Sequence, residues 1–133
     1  MANQLYPTGD VAIKTGDIDL DSDTIRIALL GAGYTFDEAH EFFDDVADVL
    51  GTPMALVGNT VLPTGYFDAN DVTYLDVNPG DTVEYVVLYK WTGTAGTSRL
   101  ITYMDTNDDT TDIERDGDGG PIYIKWPTGG IFN

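Results

Sequence analysis

Residues Thr82 to Trp91, TVEYVVLYKW, form the stretch of this chain that is richest in β-forming residues. One face of the extended segment carries Tyr85, Val87, Tyr89 and Trp91, and Val83, Val86 or Leu88 fall elsewhere. Both faces are therefore largely apolar, which is typical of a strand that is buried on two sides. The pattern predicts a strand in the centre of a sheet.

Further strands are predicted on both sides of this segment. The loop Thr92–Ser98 (TGTAGTS) connects it to Arg99–Asp105 (RLITYMD) as a hairpin, and upstream Thr24–Leu30 (TIRIALL) alternates apolar and polar residues. Other predicted strands or short apolar runs are Met54–Val57, Thr60–Tyr66 with Pro63, Asp71–Val77 and Pro121–Trp126. Asn78-Pro-Gly-Asp81 is a turn signature between two of them.

One α-helix is predicted over about residues 36–50. Thr35 and Glu38 have the spacing of a capping box, and Gly51 is a natural stop. The apolar positions between them follow helical spacing: Phe36, Ala39, Phe43, Val46 and Leu50. Nearer the N-terminus, Pro7, Gly9 and Gly16 are expected to interrupt any long helix, which leaves a short turn at Asp10–Thr15.

The chain of 133 residues is long enough for one domain with a real core. The predicted fold is therefore mainly β, with residues 1–133 forming a single antiparallel β-sandwich of about seven strands and one short helix. The longest apolar runs are too short to cross a bilayer, and the N-terminus does not resemble a signal peptide.

The charge balance is strongly acidic. Six Lys and Arg face 23 Asp and Glu, which gives a net charge of −17. Nucleic-acid binding requires a clustered basic face, and anionic membranes repel an acidic one, so we expect neither partner. The excess acid has two interpretations: a solvated surface with Asp-rich turns, or adaptation to high salt, which screens the self-repulsion of the chain.

Catalysis is not expected. The chain has no cysteine, and the serines Ser22 and Ser98 lack the context of a nucleophile. His40 is the one histidine and is interpreted as a packed residue near aromatic side chains. Glu84 is the least typical carboxylate, because it interrupts an apolar strand, and is interpreted as an outward-facing residue paired with Lys90 or Arg99.

A cation site is a weaker possibility in the acidic loop 105–118. Asp105, Asn107 and Asp109 have the spacing that opens an EF-hand loop, but Thr110 and Asp116 replace the required Gly and Glu. These oxygens could still bind Ca²⁺ or another hard cation. The alternative is a solvated acidic loop, and no cofactor is required in either case.

Several segments carry a resemblance to known proteins. They are the opening Asn3-Gln-Leu-Tyr-Pro7, Gly16-Asp-Ile-Asp-Leu20 followed by Asp23-Thr-Ile-Arg-Ile-Ala-Leu-Leu30, Tyr34-Thr-Phe36 before Ala39-His-Glu-Phe42 and Asp45-Val46, and Val87-Leu-Tyr-Lys90 with the loop Thr92–Ser98 and Leu100–Asp105. Their order resembles a family of small virion structural proteins of tailed phages and archaeal tailed viruses. The acids that replace the basic residues of phage members indicate a halophilic host.

The resemblance implies a capsid decoration protein on the outside of an icosahedral head, made in the host cytoplasm and carried on the virion. Its implied partners are the major capsid protein and further copies of itself, as a homotrimer or another homo-oligomer. The alternative is a protein of the tail, fibre or turret that binds a glycan receptor, assisted by a cation.

Contact residues are expected at the chain ends and in the hairpin loop, since apolar side chains at a terminus are rarely exposed unless they dock. The candidates are Leu5, Tyr6, Pro7, Thr94, Gly96, Ile131 and Phe132.

Overall fold

A computed structural model of the chain describes residues 4–74, 82–104, 106–107, 111–112, 115–116, 122–124, 126 and 131–132. Its largest element is an antiparallel five-stranded sheet. The strands follow one another across this sheet in the order β1 (Gln4–Leu5), β9 (Leu100–Met104), β8 (Tyr85–Lys90), β2 (Ile25–Leu30) and β3 (Val49–Ala55). β8 occupies the middle and pairs with β2 and β9, so the predicted central strand and hairpin are confirmed.

The remaining described strands form short antiparallel ladders. β4 (Thr60–Val61) pairs with β5 (Phe67–Asp68), β6 (Val72–Tyr74) with β13 (Ile122–Ile124), β7 (Thr82–Val83) with β12 (Arg115–Asp116), and β10 (Thr106–Asn107) with β11 (Thr111–Asp112). The strands are shorter and more numerous than the seven predicted. β10, β11 and β12 also lie in a stretch that the sequence predicts as loop.

Both faces of the central sheet are buried. On the first face Ile27, Val86 and Leu88 pack in a core that also contains Phe67, Val72, Ile124, Trp126 and Ile131 from the ladders and the C-terminal segment. On the second face Ala28, Leu30, Val87, Tyr89 and Tyr103 pack against Tyr6 and Tyr34. This confirms the mainly β, sandwich-like fold, in which short ladders and a helix form one layer over the sheet.

The α-helix of the described chain is α1 (Pro7–Thr15), so the predicted helix position is wrong. Pro7 is in the first turn, where a missing N–H costs nothing. Gly16 ends the helix with a left-handed φ of 87°, which glycine adopts without strain. Gly9 is buried against β9, so the residue expected to break a helix instead allows α1 to approach the strand backbone.

Residues 31–48, which we call the covering loop, take the place of the first three turns of the predicted helix over 36–50. Only Phe43–Asp45 forms a 3₁₀ turn, and β3 begins at Val49. The aspartates in this segment explain the difference, because side-chain carboxylates that accept nearby backbone N–H groups compete with helical hydrogen bonds. The carboxylate of Asp45 accepts the N–H groups of Glu41 (2.9 Å) and Phe42 (3.1 Å).

The apolar residues of the covering loop nevertheless reach the core. Phe36, Phe43 and Val46 are half-buried against the second face of the sheet, and the Phe43 ring stacks on Tyr89 at 4.1 Å between centroids. Asp48 closes the loop with a φ of 58° and accepts the Gly33 N–H at 2.8 Å. The apolar spacing thus marked Phe36, Phe43 and Val46 correctly as residues that pack on the sheet, but Ala39 is exposed and the backbone is not helical.

Candidate interaction surfaces

A chain of hydrogen bonds joins Tyr6, Tyr34 and His40 beneath the covering loop. The hydroxyl oxygens of Tyr6 and Tyr34 are 2.6 Å apart, and the Tyr34 hydroxyl lies 2.9 Å from His40 Nδ1. Tyr6 is fully buried, and burial, together with the bond to Tyr34, raises the pKa of its phenol well above the usual range. Burial also raises the pKa of Tyr34. Both phenols therefore remain protonated, and the chain connects α1, the covering loop and the sheet.

Replacing Tyr34 with phenylalanine should destabilise the domain by about 1–3 kcal/mol, since the buried Tyr6 hydroxyl loses its partner. We expect the melting temperature to fall by several degrees in a thermal scan. Tyr66→Phe is the matched control, because the Tyr66 side chain is 39% exposed and should change stability little. Equal melting temperatures for the two variants would show that the hydrogen-bonded chain does not support the fold.

The hairpin loop Thr92–Ser98 satisfies its own polar groups. The Ser98 hydroxyl donates to the Thr94 carbonyl at 2.8 Å and accepts the Thr92 N–H at 3.1 Å. The hydroxyls of Thr92 and Thr97 lie 2.6 Å apart, and Ala95–Thr97 forms a 3₁₀ turn. Ser98 is buried, whereas the predicted contact residues Thr94 and Gly96 are exposed. Hydrogen bonds within the loop therefore hold its shape, and its outer residues Thr94 and Gly96 are accessible to a partner.

The basic side chains that the structure places are engaged within the chain. Lys14 pairs with Asp10 at 2.9 Å, and Lys90 contacts the Asp23 carboxylate at 3.1 Å and the Asp17 carbonyl at 2.8 Å. The guanidinium groups lie over aromatic rings: Arg26 over Trp91 at 4.3 Å and Arg99 over Phe42 at 4.6 Å.

These contacts correct the interpretation of Glu84. Lys90 and Arg99 pair with Asp23 and Glu41, not with Glu84 as the sequence suggested. Burial alone would raise the pKa of Asp23, but the Asp19 N–H and the Lys90 ammonium both hydrogen-bond its carboxylate and lower it. The carboxylate of Asp45 accepts the N–H groups of Glu41 and Phe42, and these two hydrogen bonds lower its pKa.

The chain ends are docked within the domain rather than held ready for a partner. Tyr6 is fully buried and Ile131 is 6% exposed, so neither can meet a partner in this conformation, which corrects the expectation for both. The Ile131 N–H donates to the Phe67 carbonyl at 2.7 Å, and Phe67 donates to the Phe132 carbonyl at 2.8 Å. Of the terminal candidates, Pro7 is exposed, while Leu5 and Phe132 are half-buried.

An open apolar groove lies between α1 and the β4–β5 hairpin. Its volume is about 400 Å³, and Leu5, Ile13, Leu20, Val61, Phe67 and Phe132 line it, with Asp10 and Lys14 on the helix side. We call it the α1 groove. A volume of this size is in the range of pockets that accept a small ligand or an anchoring side chain.

The predicted cation site lies largely outside the described residues. Asp105 and Asp109 are not described, and of Asn107 the structure gives only its pairing with Thr111 between β10 and β11. The described part of the chain contains no cluster of three or more acidic or histidine side chains that could hold a metal.

The edge of the central sheet at β3 is poorly suited to adding another strand. β3 contains Pro53, which has no backbone N–H, and its register with β2 shifts between Ile27 and Leu29. Proline and bulges are common devices that prevent edge-to-edge pairing. A partner is therefore expected to contact side chains rather than extend the sheet.

No protein-family model matches the chain, and no curated protein matches it in sequence. Among the described residues, none of the helices is long and apolar enough to span a membrane.

Proposed function

We propose that this protein is a capsid decoration protein, which binds the outer surface of an icosahedral head and reinforces it without catalysing a reaction. The order of the segments described above, which resembles small virion structural proteins, supports this function. The described surface supports it as well, because it offers a self-bonded loop with exposed outer residues and exposed apolar side chains that a partner could contact.

The observation that carries the proposal is the engagement of Lys14, Arg26, Lys90 and Arg99 within the chain. Lys14 remains 74% exposed in its pair with Asp10, but carboxylates predominate among the exposed charged side chains of this part of the molecule, and Val57 and Val61 are exposed apolar side chains. Complementary surfaces pair opposite charges, so the partner is expected to supply the cations. The proposed partner is the major capsid protein, and the proposed assembly on the head is a homotrimer or another homo-oligomer.

Co-sedimentation with purified heads and purified tails of the virus that encodes the protein tests this function. We expect saturable binding to heads in molar salt, at a fixed ratio to the major capsid protein. Thr94→Tyr should weaken binding several-fold, because it adds bulk to the exposed tip of the loop. Thr35→Tyr, at an exposed position of the covering loop, is the matched control.

Binding to tails alone, or to neither particle, would overturn the assignment. Light scattering of the free protein in the same salt measures its oligomeric state, and a strict monomer both free and on the head would contradict the proposed homo-oligomer.

A further inference from the structure

We propose that the α1 groove binds a segment of a partner protein that carries a bulky apolar side chain next to Lys or Arg. The proposal deepens the decoration function by naming the chemistry of one docking site, and it rests on that function only for the identity of the partner. Neither a second copy of this chain nor a small apolar molecule is the occupant that the groove favours.

The groove has an apolar floor that the described chain leaves open. Phe67 lines the groove but is only 1% exposed, with its ring 5.4 Å from that of Phe132. The accessible apolar surface comes from the half-buried Leu5, Ile13 and Phe132. Val61 on the opposite wall from α1 is 43% exposed. Burying such surface stabilises a complex by roughly 25 cal/mol for each Å² of apolar area, so an inserted side chain supplies the affinity.

The rim of the groove carries an excess of acid. On α1, Asp10 is paired with Lys14 at 2.9 Å, and on the opposite wall the carboxylate of Asp21 accepts the Val61 N–H at 2.8 Å. The groove itself thus contains one carboxylate and one ammonium, which pair with each other, and the exposed carboxylate of Asp21 lies beside Val61 and makes the surroundings acidic. An occupant that carries Lys or Arg next to its apolar anchor would place a cation near the carboxylate of Asp21.

The same charges disfavour a second copy as the occupant. Each copy has a net charge of −17, and the basic side chains placed by the structure are engaged internally. Two acidic surfaces would face each other across the contact, which costs free energy at low and moderate salt.

The test uses the full chain and three short synthetic peptides in titration calorimetry at low salt. The first peptide has a central leucine flanked by lysines, the second has glutamates in place of the lysines, and the third has serine in place of the leucine. We expect the first to bind at least about tenfold more tightly than the other two. Amide chemical shifts should change at Ile13 and Val61.

Two variants localise the binding. Val61→Gln should weaken binding of the first peptide about tenfold, and Val57→Gln is the matched control, since Val57 is 67% exposed and lies outside the groove. Asp10→Asn should weaken binding about threefold at low salt but little in 1 M salt, because salt screens exposed charges. Asp44→Asn removes the same charge elsewhere and should have no such effect.

Several results would overturn the inference: no peptide binding, equal binding of the glutamate peptide, or equal effects of Val61→Gln and Val57→Gln. Self-association that Val61→Gln abolishes would assign the groove to a second copy instead. Heads that bind the protein equally well with Val61→Gln would refute the groove but not the decoration function. Heads that bind no protein would refute the decoration function, while the peptide titration still decides the groove.

Discussion

Gly9→Ala should be among the most destabilising single substitutions in the chain. A Cβ at this position would overlap the Leu100 carbonyl oxygen and lie 2.9 Å from the Ile101 Cα. Both obstacles are backbone atoms of β9 and cannot rotate away, so α1 must move off the sheet. We expect a loss of about 3 kcal/mol or more in the free energy of unfolding, measured by urea denaturation, although alanine has the higher helix propensity.

Gly96→Ala is the control for this prediction, because its Cβ would meet only the Asp44 side chain, at 3.3 Å, on the exposed loop. That variant should unfold within about 0.5 kcal/mol of the parent protein. If Gly9→Ala proved as stable as Gly96→Ala, the close contact between α1 and β9 would be refuted.

The melting temperature should rise steeply with salt, by about 10 °C or more between low and molar KCl. The cause is self-repulsion at a net charge of −17, which salt screens as the Debye length falls from about 30 Å at 0.01 M to about 3 Å at 1 M. Thermal scans at a series of KCl concentrations measure the effect, and a halophilic host would select for it.

A charge-reduced variant separates repulsion from other effects of salt. Asp17, Glu38 and Asp44 are exposed, and none of their carboxylates accepts a hydrogen bond in the described structure. Changing them to Asn, Gln and Asn should raise the melting temperature at low salt and flatten its dependence on KCl. A flat salt dependence in the parent protein would contradict the high-salt interpretation and leave an acidic surface that is merely solvated.

The core strands could be predicted because the side-chain pattern of each segment agrees with its burial in the sheet. Thr82–Trp91 is apolar on both faces, and Thr24–Leu30 alternates with the period of a strand. Their parts Tyr85–Lys90 and Ile25–Leu30 lie in the centre of the sheet as β8 and β2, whereas Thr82–Val83 forms β7 in a separate ladder. The assignment of side chains to the two faces of β8 is also confirmed, with Val87 and Tyr89 on one and Val86 and Leu88 on the other.

The helix was misplaced for a local reason, the aspartates that bind backbone N–H groups within residues 36–48, and for reasons that depend on tertiary contacts. Residues 36–50 have helical spacing, but β2 needs a neighbour on its free side, and Val49–Ala55 pairs with it instead. Near the N-terminus, Pro7 starts α1 and Gly16 ends it. Because Gly9 lies between them, the sequence was interpreted as three residues that interrupt a helix. The role of Gly9, which is to let α1 approach the backbone of β9, follows only from the tertiary structure.

The candidate surfaces divide in a similar way. Thr94 and Gly96 were chosen correctly as exposed residues, because a short polar loop between two strands must lie at the surface. Tyr6 and Ile131 were not, since an apolar residue near a chain end can be buried by its own domain. The α1 groove could not be predicted, because its walls are distant in sequence and neither alone forms a cavity.

The sequence by itself determined that the chain is mainly β and strongly acidic, with β8 in the centre of its sheet. The reason is that strand patterns and apolar runs are read from neighbouring residues, and the net charge is read from composition. The place of the helix, the burial of Tyr6 and Ile131 and the existence of the groove were decided by tertiary structure. Each depends on contacts between segments that are far apart in the sequence, such as the contact of α1 with β9.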